Sequence, residues 1–189
     1  MKIKLLFISF LASITFSYAQ MAGYWYSKEF SKEVALFNSK TFLFNNVLGV
    51  SESVVKFEVT PLAAASSGEL TTLIYKCDEK NREGIILGFY GNYWNSQGVI
   101  YQGFSFKNLE KEKAIDFLNK IHTEIEKNSK YLNAKDDTNN IYFSFDDMKV
   151  LIYASSQGYT IRLFWKEFDS TWEKTAFERS KKRFEKGIK

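Results

Sequence analysis

The clearest pattern in the sequence is an apolar stripe of helical spacing within residues 109–130. Apolar residues recur there three or four positions apart, at Ala114, Leu118, Ile121 and Ile125. Charged residues fill most of the positions between them, so the apolar side chains cover one side of a helix and need a surface to pack on. The pattern predicts an amphipathic helix at 109–130 that lies on a sheet, with Asn108 as its N-cap.

A second amphipathic helix is predicted at residues 170–187. Asp169 and Ser170 offer side-chain oxygens of the kind that begin a helix. The inner stripe of this helix consists of Trp172, Ala176, Phe177, Ser180, Phe184 and Ile188. Its second half is basic, which suits the negative end of the helix dipole. Packing on the sheet is the expected role, and contact with an anionic membrane surface is the alternative.

Segments on both sides of the first helix alternate apolar and polar residues, as half-buried strands do. Strands are expected at 54–60, 70–77, 84–90, 99–106, 141–145, 148–154 and 159–165. The predicted fold is therefore α+β, with a single, mainly antiparallel sheet of about six to eight strands and both helices on one face. The order of meander, helix, meander, helix also suggests a pseudo-symmetric pair of units.

Residues 20–50 show a weaker pattern. A short helix is expected within residues 27–37, and a strand pair or a strand and a turn within residues 42–48. No linker rich in Pro, Gly and Ser separates the two halves of the chain. Residues 20–189 are therefore expected to form one domain.

The first 19 residues resemble a secretory signal peptide. Lys2 and Lys4 precede an apolar run at 5–16, and the small residues Ser17 and Ala19 stand where a signal peptidase cuts. The run is shorter than the roughly 20 residues that a membrane span needs. We expect cleavage after Ala19, a secreted or periplasmic location and no transmembrane segment.

The charge of the chain argues against nucleic acid as the main partner, and its cysteine content excludes an internal disulfide. The whole chain carries 26 basic and 22 acidic residues, and loss of Lys2 and Lys4 reduces the net charge from +4 to +2. So small a charge does not indicate nucleic acid as the main partner. Cys77 is the only cysteine, so no internal disulfide exists; because it shares a strand face with Leu73 and Tyr75, we expect it to be buried.

Few residues suit catalysis. No nucleophile elbow, phosphate-binding loop or paired-cysteine metal motif is present, and no cofactor or metal is expected. The only histidine, His122, is predicted to lie on the helix surface beside Glu126. The acidic pairs at 136–137 and 146–147 are expected in turns. A metal-independent hydrolase that uses acidic residues remains the alternative function.

Aromatic residues are the unusual feature, with 18 Phe, 11 Tyr and 4 Trp. A hairpin tip is expected near residues 91–98, where flat aromatic faces stand beside amide groups suited to a sugar ring or a protein surface. The candidate binding residues are Tyr90, Asn92, Tyr93, Trp94 and Asn95. The expected function is an exported, non-enzymatic binding or structural domain that interacts with a partner protein or a cell-envelope glycan.

Overall fold

The computed structural model describes residues 36–63, 68–94, 100–133, 138–156 and 158–188. Residues 39–189 form one compact unit. Of the other unit, residues 1–38, only residues 36–38 are described, and they are helical. The expected signal peptide and nearly all of the helix expected at 27–37 lie outside the described residues, so both stay predictions.

Eight strands lie in the described residues, and they form two four-stranded antiparallel meanders. The first sheet contains β1 (Glu58–Pro61), β2 (Leu70–Cys77), β3 (Arg82–Trp94) and β4 (Ile100–Glu110). The second sheet contains β5 (Asn140–Phe145), β6 (Met148–Ser155), β7 (Gly158–Trp165) and β8 (Phe168–Glu173). In each sheet the strands are adjacent in the order of the chain.

Helices follow each meander and precede the first. The described part of α1 spans residues 36–42 and continues into a π-helical segment, Leu43–Leu48. Helix α2 (Lys111–Lys127) leads into the short α3 (Ser129–Leu132), and α4 is Lys174–Gly187. None of the helices in the described residues combines the length and apolar composition that a membrane span needs.

The expected single sheet is wrong, although the α+β class is confirmed. Helix α2 intervenes between β4 and β5, and these two strands do not pair. Alternation of apolar and polar residues shows which face of a strand is buried, but it does not show which sheet the strand joins. The expected order of meander, helix, meander, helix is correct, with one four-stranded sheet in each meander.

Both predicted helix starts are also wrong. Helices α2 and α4 begin directly after strands, with Glu110 and Glu173 at their N-caps and no side-chain cap at either. Asn108 lies within β4, and Asp169 and Ser170 lie within β8, a strand that was not predicted from the sequence. The residues of β8 are alternately buried and half-buried, as a strand requires. The strand pair expected within residues 42–48 is helical instead.

Each of the two long helices reaches the sheet of the other half. The ring of Phe117 in α2 packs 5.1 Å from Phe145 of β5. The hydroxyl of Ser180 in α4 lies 3.2 Å from that of Thr72 in β2. Residues of both sheets and both helices therefore share one buried cluster, and its burial is the main favourable contribution to folding.

The first sheet is buried on both faces. Ile85, Leu87 and Phe89 of β3 belong to the shared core, whereas the alternate residue Ile86 is buried without belonging to it. Phe42, at the end of α1, stacks 5.5 Å from Phe106 on that second face. Phe42 thus helps to cover the side of the sheet that faces away from the core.

Candidate functional site

The hairpin of β3 and β4 extends past the rest of the first sheet. Strand β2 pairs with β3 only up to Leu70, which lies opposite Phe89, whereas β3 and β4 remain paired as far as Trp94 and Ile100. We call residues 91–94 and 100–103 the ribbon. In the sheet order of the described strands, the ribbon has no third strand on either side.

The predicted binding residues do not all lie in the ribbon. Tyr90 lies just before it, and its backbone N–H donates to Glu69 at 2.8 Å. Asn92, Tyr93 and Trp94 lie in the ribbon, opposite Gln102, Tyr101 and Ile100, respectively. Asn95 lies outside the described residues. The backbone thus brings two aromatic residues, Tyr93 and Tyr101, to opposite positions on neighbouring strands.

An aromatic cluster lies at the base of the ribbon. Tyr90 and Phe106 meet edge to face at 6.0 Å, and Phe104 lies 6.1 Å from Tyr90 and 5.6 Å from Phe106. Phe106 is buried, whereas Phe104 is 50% exposed. The cluster therefore anchors the ribbon on the sheet and leaves one aromatic face open to solvent.

Tyr90 belongs mainly to this anchor. Its hydroxyl group is buried, and burial raises the pKa of Tyr90 well above its usual value, although Ser39 acts in the opposite direction. A phenol held neutral in this way cannot act as a general base near neutral pH. Packing in the aromatic cluster therefore accounts for the position of Tyr90.

A groove of about 520 Å³ lies elsewhere, between β1, β2 and the C-terminal end of α4. Apolar side chains of Pro61, Leu62 and Ile74 line part of it. Its charged lining residues are Glu58, Lys76, Arg183 and Lys186. The basic character of the last helix is evident from the sequence, but its position beside the edge strand β1 is not.

An ionic network centred on the buried Lys107 joins the two sheets. The Nζ of Lys107 in β4 contacts Asp146 at 2.9 Å and also contacts Asp147, both in the turn between β5 and β6. The Nε1 of Trp165 donates to Asp147 at 2.8 Å, and Lys113 contacts Asp146 at 2.9 Å. This turn was expected from the sequence. Its carboxylates form ion pairs with Lys107, and Asp147 also accepts a hydrogen bond from Trp165.

Electrostatic coupling in this network stabilises its charged forms. Burial opposes the charge of Lys107, but hydrogen bonds to Asp147 and Asp146 outweigh it and raise the pKa of Lys107. The same lysine, together with Lys113, lowers the pKa of Asp146 to about 2. Carboxylates with such low pKa values are poor proton carriers near neutral pH.

The only histidine and the only cysteine of the chain have structural positions. His122 lies on the surface of α2, with Nε2 3.2 Å from a carboxylate oxygen of Glu126, as predicted. Cys77 is buried, also as predicted. Among the described residues, no group of three or more His, Cys, Asp or Glu is placed to hold a metal ion.

The groove does not contain the pair of acids that an acid–base hydrolase needs. Glu58 is the one carboxylate among the residues that line it, whereas glycoside hydrolysis requires two facing carboxyl groups about 5–10 Å apart. Asp146 and Asp147 are engaged with Lys107, and residues 136–137 lie outside the described residues. The described residues therefore offer no positive support for the hydrolase alternative.

Comparison with known proteins finds no matching family model, no similar curated protein and no similar solved structure.

Proposed function

We propose that this protein is an exported, non-enzymatic binding domain that recognises a partner protein through the ribbon. The observation that carries the proposal is the extension of β3 and β4 beyond β2. A two-stranded hairpin is at best marginally stable in water, and open strand edges readily pair with other chains. Because both edges of the ribbon lack a neighbouring strand in the described sheet, the ribbon is well suited to pair with a segment of a partner protein.

The residues of the ribbon suit a protein interface. Tyr93, Trp94 and Tyr101 are aromatic, and tyrosine and tryptophan dominate the binding energy of many interfaces because they combine a large apolar area with a polar group. The half-exposed ring of Phe104 lies at the base of the same hairpin. A partner that covers the ribbon would also reach this ring.

A glycan is the second ligand class that the aromatic residues and Asn92 suit. A protein is favoured because a strand edge presents a row of backbone donors and acceptors, which an extended peptide segment matches by adding a strand. Sugar rings do not match that spacing of backbone groups. A glycan ligand is therefore an outcome that the test must be able to reveal.

The test uses capture from an envelope extract of the source organism by immobilised protein comprising residues 20–189. The key variant is Trp94→Ala. The matched control is Tyr142→Ala, which removes an aromatic side chain that is 65% exposed on β5 of the second sheet. The captured partner is then purified and its affinity is measured for all three proteins.

We expect Trp94→Ala to weaken binding of the purified partner about tenfold or more, and Tyr142→Ala to leave it unchanged. Equal binding by Trp94→Ala and the unmodified protein would exclude the ribbon as the interface. A captured component that resists proteinase but is destroyed by glycan-degrading enzymes would replace the protein partner by a glycan.

A further inference from the structure

The groove between β1, β2 and α4 combines an apolar lining with a basic wall. On the strand side, Thr60 and Ile74 are register partners of β1 and β2, and both line the groove. On the helix side, the last turn of α4 approaches so closely that a side chain at Gly187 would stand 2.7 Å from Cδ1 of Ile74. Glycine at this position lets the helix end rest on the sheet.

Two cations stand on the helix wall of the groove. Arg183 and Lys186 are three residues apart on α4 and therefore lie on one side of it, and both line the groove. Within the described part of the chain, neither has a carboxylate within 4.0 Å. By contrast, Lys181 is paired with Glu185, and Lys76, also in the groove, lies 3.2 Å from Asp78.

The helix dipole explains only part of this arrangement. Cations are favoured near the C-terminus of any helix, so Arg183 and Lys186 have a reason to be in the last turns of α4. The dipole does not explain why these cations stand beside an apolar concavity formed with Pro61 and Leu62. Small-molecule sites combine apolar surface with polar groups that fix the ligand, and about 520 Å³ lies within their usual range of volume.

We propose that this groove binds a single-chain amphiphile with a carboxylate headgroup, such as a fatty acid. The apolar chain would lie on Leu62 and Ile74, and the carboxylate would contact Arg183 and Lys186. A singly charged head is favoured over a phosphate dianion because Glu58 also lines the groove and repels additional negative charge. This site is independent of the ribbon.

The experiment measures binding of dodecanoate to the protein comprising residues 20–189 by calorimetry, below the micelle concentration. The key variant is Arg183→Gln with Lys186→Gln. The matched control is Arg179→Gln with Lys182→Gln, which removes the same charge from exposed positions of α4 that do not line the groove. Acetate tests the headgroup alone, and dodecyl phosphate tests the alternative anionic head.

Dodecanoate should bind, and the Arg183→Gln, Lys186→Gln variant should lose affinity about tenfold or more, while the control pair keeps it. Thr60→Trp, which fills the groove from the strand side and leaves α4 unchanged, should also abolish binding; circular dichroism verifies that each variant is folded. No binding by the unmodified protein, equal losses in both charge variants, or tighter binding of dodecyl phosphate would overturn the proposal.

Discussion

The ammonium group of Lys107 lies 2.9 Å from the carboxylate of Asp146, and this contact ties β4 of the first sheet to the turn between β5 and β6 of the second. The side chain of Lys107 is only 9% exposed. The lysine also contacts Asp147, which accepts a hydrogen bond from Trp165. Three elements of the fold therefore meet at one buried charge.

Stability should decline with acid because of this network. The pKa of Asp146 is lowered from 3.8 to about 2, so its contribution is fully present above about pH 4 and is lost as the pH falls toward 2. Asp146→Asn should flatten the fall in unfolding free energy over that range, as measured by urea denaturation. Asp116→Asn, at an exposed position of α2, is the control and should leave the pH profile unchanged.

Removing the lysine should cost more than removing a surface charge. Lys107→Met leaves Asp147 without its cation and Asp146 with Lys113 alone, and we expect a loss of about 2 kcal/mol in unfolding free energy. Lys113→Met removes a contact to the same Asp146 from a side chain that is 50% exposed, so its cost should stay below about 1 kcal/mol. Equal urea midpoints for the two variants would contradict this ranking.

Two glycines of β3 should respond differently to alanine. A Cβ at Gly84 would stand 2.3 Å from the carbonyl oxygen of Leu109 and 3.0 Å from the ring of Tyr75. Gly84→Ala should therefore lower the unfolding free energy by about 2 kcal/mol or more, because backbone and a buried ring must move. A Cβ at Gly91 meets nothing within 4 Å, so thermal unfolding of Gly91→Ala should match that of the unmodified protein.

The free energy of unfolding should depend on the buried stripe of α2 far more than on the histidine of that helix. Phe117 is fully buried against Phe145, and Phe117→Ala should cost about 3 to 5 kcal/mol in chemical denaturation. His122, on the exposed side of the helix, makes one contact with Glu126, and His122→Ala should cost about 0.5 kcal/mol or less. A large effect of His122→Ala would point to a role that its surface position does not reveal.

The predicted signal peptide has a direct test. Expression of the full chain in a host with a secretory pathway should yield a protein that begins at Gln20, found outside the cytoplasm, because the apolar run is too short to stay as an anchor. Intact-mass measurement of the fractionated protein checks the cut. A cytoplasmic protein that retains residues 1–19 would remove both the export prediction and the envelope partner.

The sequence was sufficient to predict which face of each main helix and strand is buried. The stripe of α2 is buried at Ala114, Phe117, Leu118, Ile121 and Ile125. Of the seven strands expected after residue 50, four (70–77, 141–145, 148–154 and 159–165) match observed strands to within one residue at each end. Helical and strand periodicity report which side of an element is apolar, and that information is local. Burial of Cys77 and the contact of His122 with Glu126 follow from the same local patterns.

Long-range placement was beyond a single sequence. Whether β4 and β5 share a sheet depends on pairing between distant residues, and alternation is the same in either case. Strand β8 was missed because Trp172 fits both a strand face and the stripe of the helix that follows. The groove depends on the end of α4, at Gly187, lying against Ile74, which is more than one hundred positions away in the chain.

Helices α2 and α4 pack on the sheets of their own halves and also contact the other sheet, and this has a consequence for unfolding. Neither half buries its apolar residues alone, because the two halves share one core. Phe117 of the first half packs on β5 of the second sheet, and Ser180 of the second half contacts β2 of the first. Chains cut between residues 133 and 138 should consequently be unfolded apart and should regain structure when mixed.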